Sequence, residues 1–279
     1  MGVLLVDVLT VPSINFAEVV EEVCYFIRSV VNGAKGVVLG LSGGVDSSLT
    51  ATLCAKALGS SRVLALLMPL HFTPKSDVED ALNLAKWLGI GHRVIPIDGI
   101  VEAFLNVLPY EESDPFYKMP AANLRARVRM LILYYYANLY GFLVAGSSDK
   151  SEILIGYYTK YGDGAADFLP IAHLYKTQVR SLANWLGIPE RIAFKPSSPQ
   201  LYAGHKITDE LPVDYEILDR ILAGLFEYKL KPSEIAEKLK IPEDVVFGVI
   251  KRYRSTSHKR RLPPTVKPLP TIQIDEFNT

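Results

Sequence analysis

GVVLGLSGGVDSSLTATLCAKAL, residues Gly36 to Leu58, is the stretch on which the fold turns. Its opening six residues form an apolar run too short for a buried helix, and a helical pattern follows the glycine pair Gly43 and Gly44. Paired glycines let the backbone approach a ligand closely, and a helix that starts there offers unsatisfied N–H groups and the positive end of its dipole. Ser42, Ser47 and Ser48 add hydroxyl donors, so the turn is suited to an anion. It has neither the Gly-Lys-Ser/Thr ending of a Walker loop nor the third glycine of a dinucleotide fingerprint. Asp46 would repel a phosphate unless a cation lay between them, and Mg²⁺ with oxygen ligands is the usual one. The alternative is a plain tight turn with Asp46 as a first-turn helix acid.

Three more runs have the same character: RVLALLM from Arg62, HRVIPI from His92 and GFLVAG from Gly141. All four read as parallel strands buried on both faces. Helical segments alternate with them. FAEVVEEVCYFIRSVV follows a candidate cap at Asn15, with Glu18 three residues on, and DVEDALNLAKWL places Val78, Ala81, Leu82, Ala85 and Leu88 on one stripe. The alternation predicts an α/β fold with a doubly wound parallel sheet, whose ligands bind beyond the carboxyl ends of the strands. Those ends are Ser42 to Ser48, Met68 to Lys75, Pro96 to Asp98 and Gly146 to Glu152. Beyond Lys176 the chain turns mostly helical, which predicts a helical subdomain over about 176–257 within one domain spanning 1–262. The proline-rich 263–279 reads as a tail.

Composition narrows the function classes. Hydrophobic residues make up 49% of 279, enough for a full core, and thirty basic residues balance thirty acidic ones. No global field therefore draws the chain to nucleic acid or an anionic membrane. Cys24 and Cys54 occupy apolar helical positions without metal-ligand spacing, as expected of core residues in a cytoplasmic protein. No apolar run reaches the length of a membrane span, and the start, broken by Asp7 and Pro12, lacks the basic region of a signal peptide.

Three constellations carry further chemistry. NLRARVRM, Asn123 to Met130, fans Arg125, Arg127 and Arg129 over different helix faces; most read as solvated, but one aimed into a cleft would suit an anionic substrate. GSSDKSEILIGYYTKYGDGAADFLP, Gly146 to Pro170, puts Glu152 after a strand end, where it is either a helix N-terminal acid or a partner of Asp46 on a cation. TSHKRRLP, Thr256 to Pro263, is a solvated basic face or, with Lys251, Arg252 and Arg254, a nucleic-acid patch that the neutral total charge disfavours.

The hexapeptide Ser-Gly-Gly-Val-Asp-Ser resembles the loop of enzymes that split ATP into AMP and pyrophosphate. With YTKYGDGAAD and SHKRR, and from about Asn15 to Pro263, the chain is similar to the short, ammonia-dependent NAD synthetases. The resemblance implies an adenine nucleotide alpha-hydrolase-like, Rossmann-like sheet. ATP would lie on Gly40, Leu41, Ser42, Gly43, Gly44, Val45, Asp46, Ser47 and Ser48, with further contacts from Ser147, Lys176 and Ser198. Asp46 and Glu152 would bind Mg²⁺. Arg127, Lys160, Asp167, His258 and Lys259 would contact deamido-NAD (nicotinic acid adenine dinucleotide), and Asp163 would lie near the reacting ammonia. Asp46, Glu152, Asp163 and Lys176 are thus the expected catalytic set. Ser147 stands where the family usually has threonine, and Gly164-Ala165 replaces a more usual Gly-Gly. No glutaminase-like domain precedes the loop, so free ammonia, or ammonia from another protein, is the implied nitrogen donor. The resemblance also implies a homodimer and segments 153–175 and 197–212 that close over the site. Rival readings are another ATP-pyrophosphatase with a different substrate, a nucleotide sensor without turnover, and a nucleic-acid-binding module.

Overall fold

Four strands, β1 (Gly36–Gly40), β2 (Val63–Leu67), β3 (Gly91–Val94) and β4 (Phe142–Val144), pair in parallel in the order β3-β2-β1-β4. The computed structural model describes residues 9–196 and 213–266. The strands alternate with α1 (Phe16–Val30), α2 (Val45–Leu58), α3 (Lys75–Leu88), α4 (Asp98–Leu105) and α5 (Lys118–Tyr140). After β4 come α6 (Lys150–Ile155), α7 (Lys176–Trp185), α8 (Glu190–Ala193), α9 (Tyr215–Phe226), α10 (Pro232–Leu239) and α11 (Glu243–Ser255). The chain moves outward from β1 through β2 to β3, then crosses back to place β4 on the other side of β1. That reversal opens a crevice above the carboxyl end of β1.

Side chains alternate across a strand, so one strand serves two cores. Val37 and Leu39 of β1 join Leu49 and Leu53 of α2 and Leu182 of α7, while Val38 faces Ile97, Val101 of α4 and Val128 of α5. Beside this three-layer sandwich lies a third apolar cluster, in which Ile155 of α6 meets Leu218 and Leu222 of α9, Ile235 of α10 and Val249 of α11. α7 and α8 pack with the sheet, and α9 to α11 form the separate helical layer.

The four apolar runs are strands, but β3 departs from the expectation of burial on both faces. It pairs only with β2, at the sheet edge, and its Arg93 and Val94 are exposed. Asn15 caps α1 as expected, its side chain accepting from the N–H groups of Ala17 and Glu18. Cys24 and Cys54 are buried and free, and burial pushes the Cys54 thiol up to about 12. No helix among the described residues is long and apolar enough to cross a membrane.

Leu53 is wholly buried between α2 and its neighbours. Leu53→Ala is expected to cost about 2–5 kcal/mol in a denaturant titration, the range for an unfilled core cavity; a loss under 1 kcal/mol would mean the helix layer repacks around it.

Candidate active site

Gly43 has φ +80°, and a Cβ there would stand 2.2 Å from the carbonyl oxygen of Asp77, so only glycine lets the turn lie directly on α3. Two serines then close the turn. The Ser42 N–H donates to Ser47 Oγ at 3.2 Å, Ser47 Oγ–H donates to the Gly44 carbonyl at 3.1 Å, and the Gly44 N–H donates to Ser42 Oγ at 3.3 Å. Gly44 is the N-cap of α2 without a side-chain cap, which leaves the first turn of the helix to serve a ligand. Asp46, in that first turn, points at the cluster that organises the site.

That cluster is built by α6. Asp149 is its N-cap and Glu152 its third residue, and they form a capping box: the Glu152 N–H donates to Asp149 Oδ1 at 2.8 Å and the Asp149 N–H to Glu152 Oε2 at 3.4 Å. Each acid uses one oxygen on the box and presents the other to Lys176. Lys176 opens α7, is fully buried, and places Nζ 2.7 Å from Asp46 Oδ1, 3.0 Å from Asp149 Oδ2 and 2.9 Å from Glu152 Oε1. The ammonium also lies 5.0 Å from the centre of the Tyr215 ring.

One lysine cannot balance three carboxylates. Burial raises the Asp149 carboxyl, with Lys176 opposing and Asp46 adding to the rise, to about 7. Burial likewise raises Glu152 well above the carboxylate range. For Lys176, burial disfavours the charge, but the three acids outweigh it and hold the ammonium protonated. The donor oxygens of Asp46, Asp149 and Glu152 lie within 4.8 Å of one another, a hard oxygen set that fits Mg²⁺.

A cavity of about 510 Å³ extends from the glycine turn, past Glu152, to Arg129 and Asp163. Gly40, Leu41, Ser42, Gly44, Val45, Asp46, Ser47 and Ser147 all line it. Gly43 turns toward α3, Ser48 is buried behind the turn, and Lys176 lies under the carboxylates. Ser198 lies outside the described residues. Asp163 is reached by solvent from the cavity and accepts the Thr159 N–H at 2.9 Å. The protein packed around its carboxyl raises its pKa, against the opposing charges of Lys259 and Arg129.

The residues expected at the dinucleotide are arranged differently. Arg127 is exposed and donates to the Lys160 carbonyl at 3.4 Å, and the Lys160 ammonium lies 5.1 Å from the centre of the Tyr161 ring. Asp167 accepts the Val144 N–H at 2.7 Å and the Tyr134 hydroxyl at 3.3 Å, tying its loop to β4. His258 is exposed on the short turn Ser257–Lys259. None of these four, nor Lys259, lines the cavity that holds Asp46 and Asp163.

Part of the basic run is a solvated face, with Lys251, Arg254, His258 and Arg261 exposed, but Arg252, Lys259 and Arg260 reach inward to backbone carbonyls. Lys259 Nζ donates to the carbonyls of Gly156 and Tyr158 at 2.7 and 2.5 Å, and Arg260 donates to those of Leu154 at 2.8 Å, Ile153 at 3.3 Å and Tyr253. Arg252 Nε donates to Ile155 at 3.3 Å. The last carbonyls of α6 and the glycine after it are thus held by three cations, which also suit the negative end of the helix.

Asp149 is a site residue that sequence reasoning passed over, and of the three arginines of NLRARVRM it is Arg129, not Arg127, that lines the cavity. Asp149 stands three positions before Glu152, the spacing of a capping box. Arg129 shares a helical face with the buried Ala122 and Ala126; its Nε donates to the Met68 carbonyl at 3.1 Å, and burial lowers its pKa to about 10.

The chain is similar to known proteins in both sequence and fold. The sequence profile of the NAD synthase family matches residues 19–263. The NH(3)-dependent NAD(+) synthetase of Hyperthermus butylicus is 50% identical over 262 residues, 93% of this chain and 94% of that one. That of Staphylothermus marinus is 45% identical over 276 residues, 98% of each chain. Among solved structures, the NMN synthetase from Francisella tularensis superposes with a TM-score of 0.78 at 31% identity, covering 91% of this chain and 99% of that one. The NH3-dependent NAD synthetase from Campylobacter jejuni does so with a TM-score of 0.76 at 33% identity, covering 91% and 100%.

Lys176→Met leaves three crowded carboxylates without their cation, and the expected loss is about 3–5 kcal/mol near pH 8 in metal-free denaturant titrations. Because the folded-state pKa values of Asp149 and Glu152 are raised, the folded protein binds more protons than the unfolded chain between the ordinary carboxylate range and about 7 for Asp149. Stability from this source therefore falls as pH rises through that window, and the Met variant's deficit should shrink at pH 5. A deficit that does not change with pH would count against the cluster's excess negative charge.

Proposed function

We propose that this chain, which belongs to the NAD synthase family, joins ammonia to the nicotinate carboxylate of deamido-NAD at the expense of ATP, using the cavity above β1 as its active site. The observation that carries the assignment of the site is that the glycine turn, two of the three clustered carboxylates and Asp163 all line one cavity.

Amide formation from a free carboxylate is uphill because hydroxide leaves poorly, and transfer of AMP to the carboxylate removes that obstacle. A carboxylate oxygen bonds to the α-phosphorus of ATP as the bond to pyrophosphate breaks; ammonia then bonds to the carbonyl carbon as the bond to AMP breaks. The chain's part is positioning and charge stabilisation. The N–H groups at the start of α2 face the phosphates, and Arg129, which also lines the cavity, supplies positive charge. Mg²⁺, held by Asp46, Asp149 and Glu152, would draw charge from the phosphate oxygens. Lys176 Nζ sits between those acids, holds them together and would share their negative charge with the ion. Asp163, with its raised pKa, takes the proton that ammonium must lose before it attacks.

A second copy of the chain completes the assembly in this reading. Leu131, Tyr135 and Leu139 recur at four-residue spacing along α5 and are all more than half exposed, an apolar stripe suited to a two-fold partner. A cytoplasmic setting is supported by the two buried, unpaired cysteines.

The decisive assay incubates the protein with ATP, Mg²⁺, ammonium and either nicotinic acid adenine dinucleotide or the corresponding mononucleotide. NAD, AMP and pyrophosphate are expected in equal amounts with the dinucleotide. Turnover of the mononucleotide alone would move the reading to the reaction named for the Francisella structure. Asp163→Asn is expected to slow amide formation about a hundredfold or more while exchange of labelled pyrophosphate into ATP persists; loss of both together would remove Asp163 from the ammonia step. Charged substitutions at Tyr135 and Leu139 should give a monomer in sedimentation, and an unchanged sedimentation coefficient would place the contact elsewhere.

A further inference from the structure

Lys195, just after α8, reaches back across the start of α3 to the glycine turn. Its Nζ donates to the Gly43 carbonyl at 3.1 Å, to Asp77 Oδ1 at 2.9 Å and to Asp80 Oδ2 at 2.8 Å. Asp77 and Asp80 are buried and three residues apart, so they share one face of the first turns of α3. The other oxygen of Asp80 takes Arg191 Nε at 2.8 Å. Burial opposes the charge on Lys195, but the two acids outweigh it, and the ammonium keeps all three of its donors. Lys195 also lines the cavity.

The direction of the Gly43 carbonyl matters because a peptide unit is planar. In the trans form its C=O and the following N–H point to opposite sides. A Gly43 carbonyl held toward Lys195 therefore sends the Gly44 N–H the other way, where it meets Ser42 Oγ on the cavity wall. Glycine on both sides of this peptide makes rotation easy, and a rotated unit would aim a carbonyl dipole at the anion. Asp77 makes the arrangement tight, since its backbone oxygen already touches the space where a Gly43 side chain would be.

We propose that Lys195 is a positioning residue for the ATP reaction: it fixes the Gly43–Gly44 peptide so that its N–H stays on Ser42 Oγ at the cavity wall and its carbonyl is kept away from the phosphates. The proposal rests on the reading that the glycine turn holds those phosphates. Asp77 and Asp80 neutralise the ammonium, so Lys195 works through the hydrogen bond it donates more than through its charge.

The test measures Mg·ATP affinity by calorimetry, together with steady-state KM for deamido-NAD, in four variants. Lys195→Met is expected to weaken ATP binding about tenfold, the worth of one hydrogen bond to an oriented group, and to leave the KM for deamido-NAD within about twofold. Lys195→Arg, which keeps the charge and a donor, should fall between wild type and Lys195→Met, and it carries the test if the methionine variant does not fold. Arg191→Met breaks the neighbouring ion pair without touching the turn and should lower stability but not ATP affinity. Gly44→Val puts a side chain at the nest and should abolish ATP binding. Unchanged ATP affinity in Lys195→Met with loss in Gly44→Val would overturn the role of Lys195 alone, and so would Arg191→Met weakening ATP as much as Lys195→Met. ATP binding retained in both Lys195→Met and Gly44→Val would overturn the placement of ATP on the turn, and the proposal with it.

Discussion

A single buried ammonium among three carboxylates sets the terms for everything around it. Lys176 joins α7 to Asp46 of α2 and to the two acids of α6, so three helices from different parts of the chain meet at one nitrogen. Burying so many charges is costly unless each is paired, and here the pairing is incomplete by design of the residue count: three acids to one base. That deficit keeps the site receptive to another cation. It also makes the cluster dependent on its frame, since acids that repel one another stay together only if their backbones are held.

The frame is electrostatic at both ends of α6. At its N-terminus the capping box spends one oxygen of Asp149 and one of Glu152 on the helix itself, which fixes where their other oxygens point. At its C-terminus Arg252, Lys259 and Arg260 hold successive carbonyls and the glycine that ends the helix. The basic run near the end of the described chain is thereby tied to the acidic cluster about one helix length away. The glycine turn has a parallel support, with α3 beneath it and Lys195 gripping its carbonyl. In both cases a lysine or arginine distant in sequence orients backbone groups next to the cavity.

Much of the fold is legible in the sequence because short apolar runs and the Ser-Gly-Gly-Val-Asp-Ser turn respond to local rules. The four strands and the parallel sheet follow from them. The edge position of β3 and the switch at β1 do not, because pairing order depends on crossovers that periodicity cannot reveal. At the site, Asp46, Glu152, Asp163 and Lys176 are legible by motif, whereas Asp149 is hidden behind its ordinary duty as a helix cap. Arg129 is distinguishable from Arg127 by the small buried residues that share its face of α5, but Arg125, which follows Ala121 and Ala122 by one turn, has the same pattern. Within the basic run at Thr256 to Arg261 the inward turn of Lys259 and Arg260 is not legible because charge in a sequence carries no direction; which carbonyls Arg260 finds is decided by how α11 packs on α6. Lys195 is illegible for the same reason, its three partners lying more than a hundred residues away.

The most direct test of the account is a crystal structure with Mn²⁺ and a non-hydrolysable ATP analogue, with the metal located by its anomalous scattering. The account predicts a metal peak ligated by Asp46, Asp149 and Glu152, and the analogue's phosphates on the glycine turn. A metal bound away from these acids would contradict it.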